Sequence, residues 1–139
     1  MRTCFLFFLF ISMLGYSQTL KVNITGIRNS SGSIVLAFYS TAESFDKEQP
    51  LFLKKITKNG LANGKLSITY NDLKSGTYGI AILDDENNND KMDYGWLIPK
   101  EGFGFSDYYH TGLTKPTFDK FDFVLKNENK TVEIKVRYL

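Results

Sequence analysis

Thr77-Tyr78-Gly79-Ile80-Ala81-Ile82-Leu83 runs without a break into Asp84-Asp85-Glu86-Asn87-Asn88-Asn89-Asp90-Lys91-Met92-Asp93. The first seven residues are largely apolar and rich in β-branched and aromatic side chains, the pattern of a core strand. The ten that follow are almost all carboxylate or carboxamide, and Asp and Asn favour turns because they hydrogen-bond their own backbone. A core strand that ends in an oxygen-rich loop points to a β domain.

Similar runs recur on both sides of this stretch. Leu20, Val22, Ile24 and Ile27 alternate and end in the turn Arg28-Asn29-Ser30-Ser31-Gly32. Ile34 to Tyr39 is apolar on both faces and reads as a central strand. Ser40 to Pro50 is polar and irregular, with room for one helical turn around Glu43 to Lys47, and Leu51 to Ile56 is a short third strand. Leu66, Ile68 and Tyr70 alternate with Lys65, Ser67 and Thr69, the signature of a half-buried strand. Phe118, Phe121, Phe123 and Leu125 begin another strand region, and Val132, Ile134, Val136 and Tyr138 alternate to the end. About seven strands and no long amphipathic helix predict an all-β, antiparallel Greek-key sandwich, with a closed barrel as the alternative.

The 139 residues suffice for one domain. Arg2, the apolar run Cys4 to Leu14 and the small residues of Gly15-Tyr16-Ser17 read as a secretory signal over residues 1–17, too short for a membrane span. Residues 18–139 then form a single β-sandwich domain. Cleavage would remove the only cysteine, leaving a domain that relies on its core or on a bound ion. Seventeen basic against fifteen acidic residues give a net charge of +2, and the basic residues are dispersed, which disfavours nucleic acid as a partner.

Counted from Asp85, oxygen-bearing side chains occupy positions one, three, five, six and nine, a spacing that aims several hard oxygens at one centre, as Ca²⁺ requires. Asp85, Asn87, Asn89 and Asp93 would donate side-chain oxygens and Lys91 its backbone carbonyl. Position six needs a sharp turn and carries Asp90, which tolerates positive φ better than most residues. Position twelve is Trp96, not the bidentate glutamate of an EF-hand, so an acid from elsewhere must complete the site. Asp84, Glu86, Glu101 and Asp107 are the candidates.

Tyr94 to His110 is rich in glycine and aromatics and has no clean period. Trp96, Phe103 and Phe105 suit packing over one end of the sandwich, with the glycines letting the backbone turn; the alternative is a surface that binds a sugar or peptide. Ser106, Asp107 and His110 carry no nucleophile elbow or oxyanion hole, and a single histidine excludes a multi-histidine zinc site. No catalytic residues are assigned, and the chain reads as a non-enzyme.

Ser75 to Ile82, Asp85 to Asp93 and Ile98-Pro99-Lys100-Glu101-Gly102-Phe103-Gly104-Phe105-Ser106 together resemble DUF2141, a family of uncharacterised secreted bacterial proteins. The resemblance covers nearly all of residues 18–139. Gly79 stands where alanine is usual, a conservative departure, and Asp90 replaces the loop glycine. The resemblance implies a secreted β-sandwich of transthyretin-like or immunoglobulin-like kind and no established activity. It also joins the acidic loop to Glu101, and Glu101 or a neighbouring backbone carbonyl is expected to fold back onto the site opened by Asp85. The expectation is thus a non-catalytic domain of the periplasm, cell envelope or exterior, whose loop binds Ca²⁺ as its cofactor and orders a contact surface. Its partner would be an extracytoplasmic protein or glycan. The alternative is a carbohydrate- or peptide-binding module in which the loop is only structural.

Overall fold

A computed structural model describes residues 18–139; the signal segment assigned to residues 1–17 lies outside them. Alternating apolar residues form β1 (Leu20–Thr25), β2 (Ser33–Tyr39), β3 (Phe52–Thr57), β4 (Leu66–Tyr70) and β5 (Gly76–Asp85), followed by β6 (Gly102–Phe105), β7 (Asp122–Leu125) and β8 (Lys130–Lys135). A three-stranded sheet in the order β4-β1-β8 faces a five-stranded sheet in the order β3-β2-β5-β6, with β7 also paired to β5. The ten-residue β5 is long enough to hold β7 over Gly76–Gly79 and β6 over Ala81–Asp84 along one edge, while β2 covers the other. Among the described residues, no helix is long and apolar enough to cross a membrane.

Strand periodicity sorts the side chains. Leu20, Val22 and Ile24 of β1, Ile34, Leu36 and Phe38 of β2, Ile80 and Ile82 of β5, and Val132 and Ile134 of β8 fill the space between the sheets. The alternate residues of the five-stranded sheet face the other way, onto a second aromatic cluster of Tyr39, Phe45, Phe105, Phe118 and Phe121. Two short helical turns carry part of it. The helix α1 (Ala42–Asp46) begins at Thr41, whose Oγ1 accepts from the Ser44 N–H at 3.1 Å while Ser44 Oγ accepts from the Thr41 N–H at 3.3 Å, and it buries Phe45. A single 3₁₀ turn, Phe118–Lys120, brings in Phe118.

Three features differ from the expectation. The first and last strands, β1 and β8, pair in parallel, which the whole intervening chain allows by acting as the crossover. Phe118 and Phe121 belong to the turn ahead of β7, because their rings are needed on the outer face of the sheet. Gly102 and Gly104 do not turn the chain: they lie in β6, pressed on the segment that follows β8. A Cβ on Gly102 would come 2.5 Å from Val136 Cγ1, and one on Gly104 would come 2.9 Å from the Lys135 carbonyl. That close approach lets Phe103 and Arg137 exchange backbone hydrogen bonds at 3.0 and 2.8 Å, tying the two sheets together along one side.

Gly79 is a less neutral departure than its small size suggests. A Cβ there would stand 2.6 Å from Phe118 and 2.7 Å from Phe121, so these rings already occupy the space an alanine methyl would take. Gly79→Ala is therefore expected to destabilise the domain by about 1–3 kcal/mol through overpacking, measured as a lowered denaturation midpoint. An unchanged midpoint would contradict this packing.

Candidate functional site

The last two residues of β5 are both buried and, by strand alternation, point to opposite sides. Asp84 Oδ1 lies 2.5 Å from the buried Lys58 Nζ, and its Oδ2 accepts from the Tyr138 hydroxyl at 2.5 Å. Tyr138 in turn accepts from the Arg28 N–H at 3.1 Å, and burial, reinforced by the bond to Asp84, pushes its hydroxyl pKa well up. Asp84 is thus committed to an internal ion pair and does not complete the loop.

Asp85 organises the loop. Its Oδ1 accepts from the Asn89 N–H and its Oδ2 from the Asp90 N–H, each at 3.0 Å. Asn88 and Asp90 take positive φ, 58° and 59°, so the sharp bend expected at position six is made by Asp90. Two Asx turns follow: Asn87 Oδ1 accepts from the Asn89 N–H at 3.1 Å and Asn89 Oδ1 from the Lys91 N–H at 2.9 Å. The carboxamides then meet on Asp93, with Asn87 Nδ2 at 2.5 Å from Oδ2 and Asn89 Nδ2 at 3.0 Å from both oxygens. Positions one, three, five and nine are therefore drawn into one compact loop.

Glu101 folds back onto the loop. Its Oε1 accepts from the Glu86 N–H at 3.1 Å and its Oε2 from the Asp93 N–H at 3.2 Å, closing both ends of the turn. Burial pushes its carboxyl above the usual carboxylate range. The Asp93 N–H pulls it down, and the charges of Asp93 and Asp85 push it further up. The other two candidate acids serve elsewhere. Glu86 pairs with Arg28 at 2.6 and 3.0 Å, which holds its carboxyl below the usual range. Asp107 Oδ1 accepts from the Glu133 N–H at 2.8 Å, away from the loop.

Among the described residues no group of three or more His, Cys, Asp or Glu side chains is placed to hold a metal ion. A cation here would instead draw on the oxygens of Asn87 and Asn89, each with a second lone pair beside its Asx-turn bond, and on Asp85, Asp93, Glu101 and the Lys91 carbonyl. That all-oxygen set fits Ca²⁺ and no soft metal. Sequence reasoning missed Lys55, which reaches in from β3: its Nζ lies 2.5 Å from Asp90 Oδ1 and 3.8 Å from Asp85 Oδ2. It was visible only as one of several scattered lysines.

The three aromatics with an assigned ligand role are dispersed. Phe105 is buried in the outer aromatic cluster, Phe103 packs against it, and Trp96 is 98% exposed at the tip of a hairpin. Packing over the end of the sandwich therefore describes Phe105 and not Trp96. A cleft of about 380 Å³ opens beside the hairpin, lined by Phe45, Met92, Tyr94, Phe103, Phe105 and Leu113 among others. Met92 and Tyr94 flank Asp93, so loop and cleft share a segment. Ser106, Asp107 and His110 are not assembled: Ser106 Oγ is buried and donates to the Phe121 carbonyl at 2.6 Å, and His110 Nε2 meets the Thr114 carbonyl at 2.6 Å.

A family model described as "Uncharacterized protein conserved in bacteria (DUF2141)" matches residues 22–133. No curated protein and no solved structure matches the chain.

Removing one partner of the Lys58–Asp84 pair would leave a buried charge unpaired. Lys58→Met is expected to cost about 3–5 kcal/mol, and the double variant Lys58→Met/Asp84→Leu much less; chemical denaturation of the three proteins checks the difference. Equal losses in both variants would show that the pair is not the source.

Proposed function

The chain belongs to the DUF2141 family, and on that premise we propose that it is a non-catalytic, exported β-sandwich domain whose Asp85–Asp93 loop binds Ca²⁺. The ion would fix the loop that leads into the cleft and so order a contact surface for a ligand or partner. The observation that carries this reading is the convergence of Asn87 and Asn89 on Asp93, with Asp85 held in place by two backbone N–H groups. A cation would replace the carboxamide N–H groups that now donate to Asp93. The few formal charges in the donor set place the affinity at the weak end of calcium sites, about 10⁻⁴–10⁻³ M. Export follows from the N-terminal pattern of Arg2, Cys4 to Leu14 and Gly15-Tyr16-Ser17.

For a Kd of about 1 mM, ~10 mM Ca²⁺ stabilises the folded state by about 1.4 kcal/mol, raising the melting midpoint by roughly 4–7 °C. The Asn87→Ala/Asn89→Ala variant is expected to lose that rise. A wild-type midpoint indifferent to both Ca²⁺ and chelator would end the calcium reading.

The raised Glu101 pKa adds a pH dependence. The folded protein holds this proton more tightly than the unfolded chain, so folding loses stability as pH rises from the ordinary carboxylate value through the raised one. Ca²⁺ favours the carboxylate and opposes that loss. Its stabilising increment is therefore expected to grow with pH across this window and to shrink on acidification, and Glu101→Gln should flatten the dependence. Melting scans at a series of pH values, with and without Ca²⁺, test this.

The exposure of Tyr94 at the cleft and of Trp96 on the hairpin beside it favours a second reading, a surface for a glycan or peptide. Binding to a glycan or peptide panel that disappears in Trp96→Ala and persists in Asn89→Ala would carry it.

A further inference from the structure

We infer that the 95–98 hairpin tip and the cleft beside it form one self-complementary surface through which two copies of this chain associate. The tip is a tight turn: the Gly95 N–H donates to the Ile98 carbonyl and the Leu97 N–H to the Gly95 carbonyl, each at 2.7 Å, and Tyr94 and Pro99 bridge at its base. Leu97 is held at φ 74°, a strained conformation rare for a bulky L residue. That strain presents Trp96 and Leu97 to solvent at 98% and 94% exposure, which is unfavourable twice over for an isolated copy.

The area suits a second copy. At ~150–250 Å² for each fully exposed aromatic, Trp96 and Tyr94 alone present roughly 250–400 Å², with Tyr94 at 64% exposure. Leu97, Ile98 and Leu113, the last 89% exposed, carry the patch beyond the ~300–600 Å² typical of a monomer's largest. About 600 Å² from each copy reaches the lower end of specific interfaces. Charge agrees. No charged residue lies between Tyr94 and Pro99, and the charged pair at the cleft, Lys115 and Glu48, is mutually neutralising at 3.7 Å. The chain's net charge of only +2 adds little repulsion. A protruding tip next to a hollow is the geometry of a two-fold interface, in which the Trp96 of each copy enters the cleft of the other. None of this depends on Ca²⁺.

Trp96 is the only tryptophan in the chain, so its fluorescence reports this contact alone. In dilution series from near-millimolar to micromolar protein, sedimentation is expected to fall from dimer to monomer as the emission shifts to longer wavelength. Leu113→Asp retains the probe and should remain monomeric with long-wavelength emission throughout; its melting midpoint shows whether it folds. Trp96→Ala, monomeric at every concentration, is the second variant. A wild-type monomer across the series, or a dimer whose Trp96 emission never moves, overturns the proposal. So does a monomer whose emission shifts only on adding a glycan or peptide, which would give the surface to that ligand.

Discussion

The Asp84 carboxylate, buried against Lys58 and Tyr138, anchors the acidic-loop end of the sandwich. It joins the end of β5 to the exit of β3 and to the C-terminal segment, and through Tyr138 and Arg28 it reaches the turn between β1 and β2. A buried ion pair is costly to assemble and more costly to break halfway, so it fixes the geometry of its surroundings more firmly than it raises net stability. The next residue inherits that rigidity. Because Asp85 must face the other way, the same two-residue step that builds the anchor also sets the first position of the loop. Gly32, at φ 71°, lets the β1–β2 turn press against the backbone of Asp85 and Glu86, where no side chain could fit.

Loop and hairpin then form a continuous mechanical unit. Asp93 closes the loop by collecting two carboxamides, and its carbonyl accepts from the Lys100 N–H at 2.8 Å across the base of the hairpin. Glu101 grips the same segment from the β6 side. Whatever tightens Asp93 also limits the movement of the strained turn that carries Leu97. The hairpin turn is therefore joined to the loop by backbone hydrogen bonds over a few residues.

Much of this architecture could be read from the chain because strand periodicity is local. Leu20 to Ile24, Ile34 to Phe38 and Thr77 to Leu83 each show their buried faces in the residue pattern, and the oxygen spacing after Asp85 marks the loop. The return of Glu101 followed from family resemblance. What could not be read depends on tertiary partners. Lys58 looks like any surface lysine until β3 sets it beside Asp84. The glycines of β6 suggest turns until the β8 side of the sandwich is found against them. Phe121 shares the two-residue spacing of Phe123 and Leu125 and yet joins Phe118 on the outer face of the sheet, because Gly79 leaves room for both rings. Trp96 sits in an aromatic-rich segment where composition favours burial; only the Leu97 backbone sends it outward.

The parallel pairing of β1 and β8 has a consequence for how the chain reaches this state. Asn23 and Glu133, hydrogen-bonded at 2.7 Å, are 110 residues apart, so the first strand lacks one neighbour until β8 is in place. Long-range pairing of this kind makes folding slow relative to local helical folds, since the closure entropy of the whole chain comes before the contacts that offset it. A chain without residues 130–138 stays open at β1, and that segment supplies β8, the β6 seam and the Tyr138 hydroxyl together. Docking of β8 and completion of the Asp84–Tyr138 anchor are thus one event, which ties the closure of β1 to the moment at which the end of β5 is fixed.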